Sequence, residues 1–246
     1  MISKSVLLTV ATLTGAGLST QAATTWHSGF DLATNETPDS PNELLNPNPA
    51  VPEWSYGSRD IVASTSLSLF GAGDHTNALH GNATLEDFEG WQYDSLLISV
   101  VNISGTSQFG FAPGEMLIHP LASASANTFN VIRWTAPTTG TYDILAKWRT
   151  PDAGGIYDGV DSHLVLNGVS IFDATVGSSE TSTSQNLVLT AGDTLDFVVG
   201  PGASGQNGND STVFSAEITL VPEPSSVFLA AAAIPLLMRR RRSVQA

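Results

Sequence analysis

The sequence predicts an all-β body, a two-sheet antiparallel β-sandwich of the jelly-roll kind. A leader precedes it and a single transmembrane tail helix follows it. Three observations predict the body: long helical periodicity is missing, turn residues punctuate the chain about every eight to twelve residues, and Asn167-Gly168 sits between two apolar runs. Asn-Gly in that setting is the strongest short hairpin signal, because a type I′ turn needs positive φ at both central residues.

The elements follow in chain order. Met1 to Ala22 reads as a secretory signal peptide, with Lys4 as its positive start, Val6–Leu18 as its apolar stretch and Thr20-Gln21-Ala22 at the cut. Trp26–Leu32 reads as an opening strand, and Asn35–Pro52, with five prolines, as an extended surface arm. Trp54–Gly57 and Ser66–Phe70 return to strand character, and Gly71–Gly90 is a polar loop. Ser95–Val101 is an apolar run suited to a fully buried strand, and Glu115–His119 and Phe129–Trp134 follow. Tyr142–Trp148 alternates, with Tyr142, Ile144, Ala146 and Trp148 on one face and Asp143, Leu145, Lys147 and Arg149 on the other. His163–Leu166 and Val169–Phe172 flank Asn167-Gly168 as one hairpin. Gln185–Leu189 and Thr194–Val199 flank Thr190–Asp193 as a second, and Ser211–Leu220 is the last strand. The body therefore runs over residues 23–220 as one domain, a normal size for an all-β fold.

The tail, residues 221–246, has three pieces. Pro222-Glu223-Pro224 must stand extended, since each proline fixes φ and removes a donor. The apolar run Val227–Met238 follows, then Arg239, Arg240, Arg241 and Arg242. At about 1.5 Å per residue the run covers roughly 18 Å of a hydrocarbon core of about 30 Å, so Ser225 and Ser226 enter and the arginines snorkel. The spanning helix is then 225–238, and the arginine block is held on the cytoplasmic side.

Charge is distributed unevenly. Of nine Lys and Arg, Lys4 and the four tail arginines lie outside the body, and of 23 acids only Glu223 does, which leaves 22 acids against four bases. Such a surface repels nucleic acid and anionic membranes, and leaves carboxylates for divalent cations. There is no cysteine, so no disulfide framework and no thiolate metal site.

Catalytic signatures are missing: there is no Gly-x-Ser-x-Gly elbow and no His-Glu-x-x-His. Not an enzyme is therefore the expectation, with a secreted glycoside hydrolase built on paired carboxylates as the trailing reading. Two loops hold oxygen ligands of the type calcium takes: Asp158 and Asp161 in one, Asn209 and Asp210 in the other. Turn formation by the same Asp and Asn residues is the competing reading. Trp91 and Tyr157 lie beside loops and are the candidate glycan platforms, with plain packing as the alternative.

Two resemblances add to this. Pro222-Glu223-Pro224, the apolar run and Arg239–Arg242, in that order, resemble the PEP-CTERM sorting signal of Gram-negative bacteria. The resemblance implies an exosortase-type membrane transpeptidase as partner, a membrane-held intermediate, and delivery to the cell surface or extracellular matrix. The stretches VIRWTAPTTGTYDILAKW, HLVLNGVSIF and LVLTAGDTLDFVVG resemble galactose-binding-like or carbohydrate-binding-module sandwiches. The expectation is an exported, non-catalytic surface protein serving adhesion or exopolysaccharide structure. The alternative is a lectin-like carbohydrate-binding module, with Ca2+ as the cofactor to test.

Overall fold

The computed structural model describes residues 23–33, 46, 51–76, 87–93, 97–122, 127–151, 159–177, 179–203, 205 and 208–222. The stretch expected to be a leader, most of the proline-rich arm, Tyr157, Asp158 and the tail from Glu223 on lie outside the described residues. Among the described residues no helix is long and apolar enough to cross a membrane.

The chain opens with β1 (Thr25–His27) and a one-turn helix, α1 (Phe30–Ala33). Then come β2 (Trp54–Arg59), β3 (Ser68–Leu69), β4 (His75–Thr76), β5 (Phe88–Tyr93), β6 (Leu97–Asn102), β7 (Met116–His119) and β8 (Leu121–Ala122). The long strands close the chain: β9 (Asn127–Thr135), β10 (Gly140–Arg149), β11 (Val160–Leu166), β12 (Val169–Val176), β13 (Thr181–Leu189), β14 (Thr194–Gly200) and β15 (Thr212–Val221).

Two antiparallel sheets result. The first runs β13-β10-β15-β7-β6-β5-β4, with β1 also paired to β15. The second runs β12-β11-β14-β9-β2-β3, with β8 paired to β9. The body is thus the expected all-β sandwich. Its core lies between the sheets, where β10 buries Tyr142, Ile144, Ala146 and Trp148 as its alternation requires. All six residues of β6 are buried, as its apolar run predicts.

The Asn167-Gly168 turn forms with φ of 50° and 82°, and β11 and β12 pair across it. The Thr190–Asp193 turn does not make a hairpin. β13 pairs with β10 in the first sheet and β14 with β11 and β9 in the second, so the chain changes sheets there. The β9–β10 connection changes sheets as well, and the two corners bind each other: Ala136 N donates to Asp193 O and Gly192 N to Ala136 O, both at 2.8 Å. Tyr142 braces this end by donating its hydroxyl to Thr138 O at 2.7 Å.

Two local expectations also change. The strand expected over Trp26–Leu32 stops at His27, because Asp31 Oδ2 accepts from His27 N and from Trp54 Nε1, both at 2.8 Å, and curls the chain into α1. The polar stretch ending at Gly90 gives way to β5 from Phe88, with Glu89 and Gly90 inside the strand. Gly90 permits this: a Cβ there would sit 2.0 Å from Ser99 O.

Candidate functional site

A cleft of about 320 Å³ opens on the outer face of the first sheet. Its floor comes from alternate positions of adjacent strands, Leu145 and Lys147 of β10 and Ser215 and Glu217 of β15, the residues opposite the buried set. Its walls are the His27–Phe30 turn and Pro113–Glu115.

The turn is tied down firmly. Ser28 N donates to Ala216 O at 3.1 Å, Ala216 N to Ser28 Oγ at 3.0 Å, and the Tyr56 hydroxyl to Ser28 O at 3.0 Å. Two glycines then meet. A Cβ on Gly29 would fall 2.0 Å from Gly114 O, and one on Gly114, whose φ is +79°, would fall 2.4 Å from the Phe30 ring. Only this pair lets the Phe30 ring lie against bare backbone. The ring remains 54% exposed and meets His27 edge-on at 6.0 Å. The result is a fixed, solvent-facing aromatic surface.

Polar groups surround it. Glu115 is held by Arg149 Nη2 at 2.5 Å and by Ala112 N at 2.7 Å, while Arg149 Nη1 also reaches Gly110 O. Lys147 Nζ lies 3.5 Å from Glu180 and His27 Nδ1 lies 4.0 Å from Glu217, all four side chains between 40% and 53% exposed. These loose surface pairs leave donors and acceptors available to a ligand. A flat apolar ring beside convergent carboxylates, an amine and a hydroxyl suits a ring-shaped polyhydroxylated ligand.

The sequence-predicted platform residue Trp91 is elsewhere. It is fully buried between the sheets, stacked at 4.9 Å on Tyr56 and at 6.3 Å on Phe70, and is a core residue. β5 begins earlier than the polar sequence suggests, which turns Trp91 inward. Phe30 does not stand out in the sequence because it falls within Trp26–Leu32, which reads as a strand. The signal available was Gly29-Phe30-Asp31, a glycine and a capping acid that end a strand.

Of the calcium candidates, Asp161 is engaged at both oxygens: Oδ1 accepts from Gly202 N at 2.6 Å and Oδ2 lies 2.9 Å from His163 Nε2. Asn209 is exposed at φ 65° and Asp210 is fully buried. No group of three or more His, Cys, Asp or Glu is arranged to hold a metal among the described residues. Of the residues that resemble a sorting signal only Pro222 is described, exposed just after β15.

Asp161 belongs instead to a carboxylate–imidazole–carboxylate ladder on the second sheet. His163 Nδ1 lies 2.5 Å from Asp173 Oδ1, which also accepts from Ser170 Oγ at 2.6 Å. Burial disfavours the imidazolium, but the hydrogen bonds to Asp161 and Asp173 outweigh it and raise the His163 pKa above 6.5. For Asp161, burial pushes up, and His163 and Gly202 more than reverse it; for Asp173 the His163 hydrogen bond leads; both fall below 3.8. The imidazolium's contribution to stability is complete below 6.5 and is lost as pH rises through the higher folded value. The carboxylates' contribution is complete above 3.8 and is lost as pH falls through their lower folded values. The ladder is therefore worth most between about pH 4 and 6.5. His163→Gln is expected to cost about 1 kcal/mol at pH 5.5, discounted for the exposure of Asp173, and clearly less at pH 8.5. Urea denaturation at the two pH values checks it, and equal costs would contradict it.

No protein-family model matches the chain, and no curated protein does. Among solved structures, the chain is similar to a rabbit GITRL at 18% identity, over 38% of this chain and 74% of that one, with a TM-score of 0.30. It is similar to the C-terminal CBM6 of LamC from Zobellia galactanivorans at 12% identity, over 42% and 90%, with a TM-score of 0.25. It is similar to a family 35 carbohydrate-binding module from Clostridium thermocellum at 12%, over 43% and 91%, with a TM-score of 0.26. Likeness at this level assigns neither ligand nor activity.

Proposed function

We propose that this chain is a non-catalytic glycan-binding protein of the cell surface or extracellular matrix, engaging exopolysaccharide through the cleft on the first sheet. One observation carries the reading: the exposed Phe30 ring, lying against Gly114 in a cleft lined by Glu115, Lys147, Ser215 and Glu217. A sugar's apolar face covers the ring while its hydroxyls exchange hydrogen bonds with the surrounding groups. The acidic body disfavours nucleic acid and favours uncharged glycans. The jelly-roll topology, the leader and the sorting tail, with its membrane helix and exosortase-type partner, complete the proposal and account for display outside the cell. Mass spectrometry of both termini of the surface-exposed protein tests that part.

The binding part is tested on a glycan array with and without chelator, followed by titration of the best ligand. Phe30→Ala is expected to weaken binding at least tenfold, the equivalent of about 1.5 kcal/mol of lost aromatic burial, with the melting temperature nearly unchanged. Loss of binding on chelation would bring calcium into the site. Absence of binding to any glycan would leave the sandwich a purely structural matrix component.

A further inference from the structure

Among the described residues the two strand paths end at β13 and β4 and at β12 and β3, with the short β1 and β8 as side branches, and of the four path ends β13 stands apart. β3 is two residues long, and β4 is described over two residues, His75 and Thr76. β12 is longer, but its pairing with β11 shifts register between Leu164 and Val165, and it carries Asp173. Short strands, bulges and charges are the devices that keep a sheet edge from pairing with another chain. The fourth edge, β13, has none of them. It reads TSTSQNLVL, without charge, proline or glycine. It pairs with β10 residue by residue from Thr181↔Trp148 to Leu189↔Gly140 with no register shift. Among the described residues no strand pairs with its other side. Val188, 79% exposed, stands at one end of it.

We propose that β13 is a self-association edge, paired antiparallel with β13 of a second copy of this chain across a two-fold axis. Charge selects that occupant. With 22 acids against four bases on the body, two copies repel over most approaches, and β13 offers a nine-residue uncharged line of contact. The strand is also self-complementary. Centred on Gln185, an antiparallel pair sets Ser184 against Asn186, Thr183 against Leu187 and Ser182 against Val188, so each Val188 is covered and no like charges oppose. Such an interface is isologous and closes at two copies. The first sheet then continues through the dimer, with the Phe30 cleft of each copy on its outer face.

The experiment uses the purified full-length chain in detergent. Sedimentation equilibrium over about 1–300 μM is expected to show a monomer–dimer equilibrium. Ser182→Lys with Ser184→Lys, both at exposed positions, is expected to raise the dimer dissociation constant at least tenfold with unchanged melting. Because the chain has no cysteine, a spin label on Ser184→Cys reports the edge alone. Labels of the two copies within about 20 Å of each other support the pairing, given a strand spacing of about 4.8 Å. A chain that stays monomeric throughout overturns the proposal. So does a dimer insensitive to the lysines, or one whose labels lie far apart, since association then runs through another surface such as the tail.

Discussion

Asp196→Ala is expected to destabilise the body by about 3–5 kcal/mol, because it strands two arginines. Asp196 is fully buried on β14, and its Oδ2 lies 2.5 Å from Arg59 Nη1 while Arg133 approaches both oxygens, Nε at 2.6 Å and Nη2 at 2.9 Å. The Arg59 side chain is only 2% exposed, and its Nε and Nη2 have no acceptor among the described residues. Burial lowers the Arg59 pKa, and Asp196 is what offsets that burial. The same arginines hold a strap over the second sheet: Arg59 Nη1 donates to Ser64 O and Arg133 Nη2 to Thr65 O. Beneath the strap, Val131, Val165 and Val198 pack with Val62 and Leu67. Removing the carboxylate leaves a buried guanidinium uncompensated and loosens the strap together. At about 2–4 °C per kcal/mol for a domain of this size, the melting temperature falls by roughly 10 °C. Arg133→Ala is expected to cost less, since its side chain is 14% exposed and water can replace it. Backbone exchange across Val62–Leu67 should rise in step with the loss. A change below about 1 kcal/mol for Asp196→Ala would contradict this account.

That ion cluster shows where sequence reading stops. Arg59 and Asp196 are 137 positions apart, and nothing local to either marks the other. What was legible was periodic or strictly local. The inner face of β10 follows from alternation, because the pleat repeats every two residues. The Asn167-Gly168 turn follows from the demand for positive φ. The Thr190–Asp193 turn has the same local chemistry as a hairpin, yet its strands enter different sheets, because that choice depends on which distant strand, β10 or β11, is free to pair. Trp91, open between glycan platform and packing in the sequence, turns out to be packing for a related reason. Its neighbours Glu89 and Gly90 read as loop, and only the close approach of Ser99 and Val100 shows that glycine there admits a strand. The site itself was illegible because the backbone that Phe30 lies against, Gly114, and the floor strands β10 and β15 are all distant in sequence.

Trp148→Ala is the second large effect, about 3–5 kcal/mol, from the cavity it opens between the sheets. Trp148 stacks on Phe172 of β12 at 5.7 Å and 12°, and meets Phe197 of β14 at 6.5 Å and Phe214 of β15 at 5.7 Å. It therefore joins strands of both sheets through one side chain. Trp148→Phe is expected to cost only about 1 kcal/mol, for two reasons: most of the volume remains, and the indole Nε1 has no acceptor among the described residues to lose. Trp54→Phe makes the contrast, since Trp54 Nε1 donates to Asp31 and its removal also takes a hydrogen bond. Denaturation midpoints at constant m-value measure all three, and equal costs for the Ala and Phe changes at Trp148 would refute the cavity argument. The same strand supplies the cleft. Lys147 and Leu145 face solvent because Trp148 and Ala146 face the core, and a register slip of one residue would exchange them. If the cleft binds glycan as proposed, Trp148→Phe, which keeps the core face apolar, is expected to leave affinity within about twofold of the parent, and Phe30→Ala to weaken it at least tenfold while sparing stability.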